Sequence, residues 1–201
     1  ESARNHFISL RNRFPSSTKS FSVLESQFLS ELGLYEEAIY VLDQELSITP
    51  DDVEILYRKA MIAGQKGSLE ILEDSLLRIL EIDPDNADAL NSLGYTLADK
   101  TNRYDEAFDF IEKALSIRPD DPAFIDSMGW IQYRLNNLDA AISYLRKALA
   151  LFQNDEVAAH LGEVLWVSGQ RAEALRIWEE ALGMDPFSSI LTEVLKKYRG
   201  K

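Results

Sequence analysis

The chain has 201 residues, 46% of them hydrophobic, with 21 Lys and Arg against 34 Asp and Glu for a net charge of −13; it can bury a sizeable core, and its surface would repel a phosphate backbone, which argues against nucleic acid as a partner. No apolar run approaches the ~20 residues needed to cross a bilayer, and the opening ESARNHFISLRNRFP lacks the apolar stretch of a signal peptide. Cys is absent, which excludes disulfides, thiolate metal sites and Cys nucleophiles and leaves the compartment open.

Proline marks the chain at a near-constant step: Pro15, Pro50, Pro84, Pro119 and Pro186 are 35, 34, 35 and 67 residues apart, and Gln153 stands where the doubled interval lacks one. Residues 1–18, with Ala3, Phe7, Leu10 and Pro15, fit the second half of a repeat whose first helix is missing. Residues 19–52 carry Ser26, Ala38 and Pro50; residues 53–86 carry Ala60 and Pro84, with Leu72 in the slot that Ala38 fills before. Residues 87–121 carry Gly94, Ala107 and Pro119, with one extra residue in the turn ADKTNRYDEA. Residues 122–154 carry Gly129 and Ala141 without the Pro, and residues 155–188 carry Gly162, Ala174 and Pro186. Residues 189–201 read as one more helix, with Leu191, Val194, Leu195 and Tyr198 on one face and Lys196, Lys197 and Arg199 at its C-terminal end, where they favour the dipole.

Small residues that return at two fixed points per repeat imply that two antiparallel helices, A and B, cross closely there. Glycine inside a helix costs about 1 kcal/mol relative to alanine, so its recurrence needs a packing reason. Proline ends each B helix, and Asp or Asn in TPDDVEIL, DPDNADAL and RPDDPAFI reopens the next A helix as N-cap, with Pro122 at a first helical position.

This pattern resembles the tetratricopeptide-repeat family. In the repeat from Ala87 the matching residues are Leu90, Leu93, Gly94, Leu97, Ala107, Ile111, Ala114 and Pro119; in that from Pro122, Ile125, Met128, Gly129, Ala141, Leu145 and Ala148; in that from Asp155, Ala158, Leu161, Gly162, Leu165, Ala174, Trp178, Ala181 and Pro186. The resemblance implies an all-α fold: a right-handed superhelical α-solenoid of antiparallel helix pairs, with residues 1–18 the second helix of a truncated repeat, full repeats at 19–52, 53–86, 87–121, 122–154 and 155–188, and residues 189–201 a capping helix over the last apolar face.

No constellation for catalysis is visible. His6 and His160 lie four repeats apart, HExxH, GxSxG and GxxxxGK[ST] do not occur, and His160 reads as a packed residue rather than a base. Acidic pairs such as Glu36-Glu37 and Asp120-Asp121 sit at helix starts or on solvent faces and read as caps and solvation. No enzyme activity, metal or cofactor is expected. Charge is uneven: residues 19–52 sum to −7, 53–86 to −3, 87–121 to −4, 122–154 to +1 and 155–188 to −5.

The resemblance also implies a concave groove lined by A helices, with the second, fifth, ninth, twelfth and thirteenth residues of each repeat facing a protein or peptide ligand. The candidate groove residues are Tyr57, Asn91, Tyr95, Asp126, Trp130, Tyr133, Arg134, Glu163 and Trp166, rich in the Trp, Tyr and Arg that dominate binding hot spots. The Lys and Asn clamp by which some members hold a chaperone's C-terminal carboxylate is absent. An acidic groove would repel such a tail and favours a segment with apolar anchors and basic residues.

The stretches LNSLGYTLADKTNRYDEAFDFIEKAL, DSMGWIQYRLNNLDAAISYLRKAL and AAHLGEVLW are similar to the C-terminal repeats of bacterial tetratricopeptide lipoproteins held on the periplasmic side of the outer membrane. That similarity implies an adaptor joining a carboxyl-terminal processing protease to cell-wall hydrolases, anchored by a lipid outside these residues. The alternatives are the recognition arm of a larger enzyme, such as a repeat-bearing glycosyltransferase, and a cytoplasmic location.

Overall fold

The computed structural model describes residues 2–199 and the side chains of residues 5–198; Ala3 of the small-residue series and Arg199 of the last helix lie outside the described side chains. Among the described residues there are twelve α-helices and no strand. They are α1 (Ser2–Arg13), α2 (Thr18–Glu31), α3 (Tyr35–Leu46), α4 (Val53–Lys66), α5 (Leu69–Ile82), α6 (Ala87–Lys100), α7 (Tyr104–Ile117), α8 (Pro122–Arg134), α9 (Leu138–Leu151), α10 (Asp155–Val167), α11 (Arg171–Met184) and α12 (Ser189–Arg199), with a 3₁₀ turn at Pro15–Ser17. The even-numbered helices are the A helices and the odd-numbered ones the B helices. The fold is all-α, of the α-solenoid class.

The chain forms two compact lobes, one ending at Ala89 and the other starting at Leu90. In the first, α1 to α4 each pack on the next helix in sequence. In the second, α7 to α11 do the same, α8 also touches α10, and α12 lies against both α10 and α11. Contacts of neighbours in sequence and of alternate helices are what stacked hairpins require.

Local chemistry starts and stops the helices. Asp52, Asn86 and Asn154 each accept a hydrogen bond from the backbone N–H three residues on, at 3.2, 3.1 and 2.9 Å, and Asp121 accepts from Ala123 N–H at 3.0 Å. These caps satisfy N–H groups that have no partner within the helix. The turns from A to B pass through a left-handed residue: Gly33 (φ 75°), Gly67 (φ 80°), Asn136 (φ 65°) and Gly169 (φ 89°). The repeat with the extra residue has none. There Thr101 Oγ1 donates to Leu97 C=O at 2.6 Å and accepts from Arg103 N–H at 3.0 Å, closing a longer turn without a positive φ.

Close crossings explain the small residues. Ala38, Ala107, Ala141 and Ala174 are fully buried. A Cβ on Gly94 would lie 2.6 Å from Ile111 Cγ1 and 2.9 Å from Ala107 O, and one on Gly129 would lie 2.6 Å from Leu145 Cγ. Leu72, the departure at the alanine slot, is accommodated one helical turn along α4 from Ala60, where Gly64 leaves space: a Cβ there would lie 3.0 Å from Leu72 Cδ1.

B helices bury one stripe, as Leu72, Ser75, Leu76 and Ile79 do on α5. A helices of the second lobe bury far more: residues 124–131 of α8 are buried without a break. On α2 of the first lobe only Ser22, Glu25, Ser26 and Leu29 are buried.

Candidate functional site

In the first lobe the A-helix face opens into a cleft of about 720 Å³. Ser26 and Ser30 of α2 turn toward their own helix and a neighbour, donating to Val23 C=O at 2.8 Å and Gln65 Oε1 at 2.6 Å, and fill little space. Tyr57 and Met61 of α4 line the cleft with Gln27, Glu31, Glu54, Arg58 and Asp88. Thus Tyr57 sits there with residues at the second, ninth and thirteenth positions of neighbouring repeats.

The cleft's charges are partly paired. Lys19 bridges Asp52 at 2.8 Å and Glu54 at 2.9 Å, and Arg58 reaches Glu54 at 3.3 Å. Hydrogen bonds from Lys19 to the two carboxylates hold it above its ordinary value and, with Arg58, hold Glu54 below. Glu31 accepts a hydrogen bond from Gln27 Nε2 at 3.1 Å.

In the second lobe the same face is filled. His160 of α10 is 12% exposed at its side chain and its Nδ1 lies 2.9 and 3.1 Å from the two oxygens of Asp126 on α8. Its ring stacks on Trp130 with centroids 4.3 Å apart, and Nε2 lies 3.5 Å from the Tyr95 hydroxyl of α6. The Tyr95 hydroxyl lies equally far from Glu156 Oε1. Burial opposes a charge on His160, yet the Asp126 hydrogen bond with the charges of Asp126, Glu156 and Asp99 outweighs it and raises the imidazole above its ordinary value. Burial and the same three carboxylates keep Tyr95 protonated far above the usual tyrosine range.

An oriented imidazole beside a hydroxyl has the outline of a proton-transfer pair. Here the imidazole is covered by Trp130, the hydroxyl is at long range, and the contacts clasp three A helices, α6, α8 and α10. Among the described residues no three His, Asp or Glu converge as a metal site.

The other candidate residues fall around this clasp. Asp126 and Trp130 are buried, 6% and 8% exposed. Tyr133 packs on Trp130 at 5.1 Å, and Arg134 donates to the Tyr104 hydroxyl at 2.7 Å and stands 5.1 Å from that ring. Glu163 pairs with Lys197 of α12 at 3.1 Å. Trp166 lies 5.9 Å from Trp178 and 5.3 Å from Tyr198, so it joins the core under α12. Asn91 is half-buried, and its side-chain oxygen and the Trp130 Nε1 are buried without a protein partner. The structure therefore brings Tyr95, Asp126 and Trp130 onto His160 with Tyr133 against Trp130, while Arg134 lies on Tyr104 and Glu163 and Trp166 engage the last helix.

The sequence read locally does not place His160 in this group, because its partner is one repeat away. The signal was present: 34 residues separate it from Asp126, and the same step of 33 to 35 joins Lys19 to Asp52, Ser30 to Gln65, Ser188 to Asp155 and Lys197 to Glu163.

Residues 75–109 and 100–161 match family models described as tetratricopeptide repeat. The chain is 44% identical over 153 residues to TPR repeat-containing protein PA4667 of Pseudomonas aeruginosa, an alignment covering 76% of this chain and 26% of that protein. It is 27% identical over 170 residues to the human Protein O-mannosyl-transferase TMTC1, covering 82% of this chain and 19% of the relative. The chain thus spans 26% and 19% of the length of these relatives. A tetratricopeptide repeat protein of Parabacteroides merdae superposes with a TM-score of 0.83 at 15% identity, over 98% of this chain and 77% of that one. A thermophilic repeat protein of Thermus thermophilus gives 0.76 at 21%, over 89% and 96%. At these identities the likeness is one of fold.

Proposed function

Since the chain belongs to the tetratricopeptide-repeat family, we propose that it acts as a non-catalytic scaffold or adaptor whose first lobe holds a segment of a partner protein. The observation that carries this is the 720 Å³ cleft on the A-helix face, within the size range of ligand sites and floored by Tyr57 and Met61. The finer reading is an adaptor on the periplasmic side of a bacterial outer membrane, lipid-anchored outside these residues, that joins a carboxyl-terminal processing protease to cell-wall hydrolases. It is supported by the resemblance of the three stretches around Gly94, Gly129 and Gly162.

Affinity purification of the whole parent protein from cell envelopes tests both levels. The wild type should retain the protease and hydrolases, and the double variant Tyr57→Ser, Met61→Ser should lose a partner while its helical circular dichroism is unchanged. Retention of every partner by the double variant would refute the cleft, and absence of the protease from the wild-type eluate would refute the finer reading. The likeness to a human O-mannosyl-transferase favours a second reading, a recognition arm beside a glycosyltransferase domain; the parent chain's full sequence separates the two.

A further inference from the structure

Resting on the reading that a partner segment enters the first lobe's cleft, we propose that this segment is cationic and amphipathic: it seats an apolar side chain on Tyr57 and Met61 and extends a Lys or Arg toward Glu31. The cleft's charged lining is three carboxylates, Glu31, Glu54 and Asp88, against one cation, Arg58. Glu54 is already shared by Lys19 and Arg58, at 2.9 and 3.3 Å, so the lining cation and Lys19 are both engaged with it. Glu31 receives an amide hydrogen bond from Gln27 and, among the described residues, no ion pair. It is also the last residue of α2, so its charge adds to the negative end of that helix's dipole.

The apolar and amide parts agree with this assignment. Tyr57 and Met61 lie one turn apart on α4 and supply a ring and a flexible thioether, a surface that accepts varied apolar anchors. Gln65 accepts from Ser30, which leaves its amide N–H groups for backbone carbonyls of a guest, and Gln27 keeps its oxygen for a backbone N–H. Beyond the cleft, residues 19–52 sum to −7 and 53–86 to −3, a field that draws a cation in and repels an acidic segment.

The test uses the full chain and two labelled synthetic peptides of equal length with identical Leu and Met anchors, one carrying Lys and the other Glu at every polar position. The Lys peptide should bind by fluorescence anisotropy, with affinity falling as salt rises. Glu31→Gln should weaken it about two- to fivefold, the range of a partly exposed charge pair, and Tyr57→Ser, Met61→Ser should weaken it more than about tenfold. Glu70→Gln with Asp74→Asn, exposed carboxylates on α5, should leave binding unchanged. Equal loss from the α5 variants and from Glu31→Gln would reduce the attraction to general surface charge and overturn the proposal. Equal binding of the Glu peptide would overturn the cationic assignment and leave the cleft standing. Should neither peptide bind while partner capture still depends on Tyr57 and Met61, the cationic assignment falls and the adaptor reading survives; should capture also be independent of them, both fall.

Discussion

Two glycine-to-alanine substitutions in adjacent helices should change stability in opposite directions. At Gly162 of α10 a Cβ would lie 2.0 Å from Trp178 Nε1 and 2.3 Å from Cε2, so the indole would have to retreat by about 1.5 Å to restore van der Waals contact. It has nowhere to go: Trp178 is fully buried, with the Trp166 and Tyr198 rings at 5.9 and 5.3 Å. Its Nε1 also donates to Ala159 C=O at 3.3 Å, a bond the displacement breaks. Overpacking of about 1–3 kcal/mol and a lost hydrogen bond of about 0.5–1.5 kcal/mol exceed the roughly 1 kcal/mol that alanine contributes in helix propensity. The net is a destabilisation of about 1–3 kcal/mol, or about 2–12 °C in melting temperature for a chain of this size. Gly183 of α11 is exposed with nothing within 4 Å of its added Cβ, so Gly183→Ala should stabilise by about 0.5–1 kcal/mol. Thermal melts followed by far-ultraviolet circular dichroism read both. A Gly162→Ala protein as stable as the parent, or a shift of the same sign in both variants, would refute the close-crossing account of the recurring glycines.

Because the His160 imidazole is raised in the folded state by Asp126, Glu156 and Asp99 against the opposing effect of burial, its contribution to stability is complete below about pH 6.5, the unfolded value, and lost as pH climbs through the higher folded value. Melting temperature measured across that window should therefore fall as pH rises, and Asp126→Asn should flatten the slope; an unchanged slope would remove the clasp as its source. Gly67→Ala forces a Cβ into the left-handed region at φ 80° and should cost about 1–2 kcal/mol in urea unfolding, whereas Asn136→Gly at φ 65° should be close to neutral. Trp130→Ala, which empties the space over His160 in the second lobe, should cost about 3–5 kcal/mol; Tyr57→Ala in the half-open cleft should cost markedly less in the same assay.

How much was legible follows from what kind of contact each feature rests on. The helix pairs are readable because their determinants are local and repeat in register: Asp52, Asn86 and Asp121 cap where the sequence places them, and the small series ends in Gly129 against Leu145 and Gly162 against Trp178. The left-handed Asn136 and the Thr101 turn are not distinguishable from sequence, since either closes an A-to-B connection and only backbone geometry tells them apart. The groove positions follow from their place in the repeat; Tyr57 is among the residues lining the first lobe's cleft. Trp166 occupies the equivalent kind of position, yet its ring lies against Trp178 and Tyr198, because α12 brings apolar side chains to that part of α10. Position in a repeat gives the direction of a side chain and does not say what the next A helix places in front of it.

That distinction accounts for why one fold carries an open and a filled version of the same face. In the first lobe the facing A-helix side chains are Ser26, Ser30, Gln27 and Met61, small or flexible, and two of them turn back on backbone or amide partners. In the second they are Tyr95, Trp130 and His160, whose rings meet at 4.3 to 6.0 Å. Aromatic area of this kind dominates interface energies when a partner covers it, but when neighbouring A helices cover it first the same energy goes into stacking the repeats. An aromatic-rich A face in such an array is therefore the place where adjacent repeats are held at fixed register. The sparsely filled, charged stretch with one Tyr and one Met is where neighbouring A helices leave a cleft open.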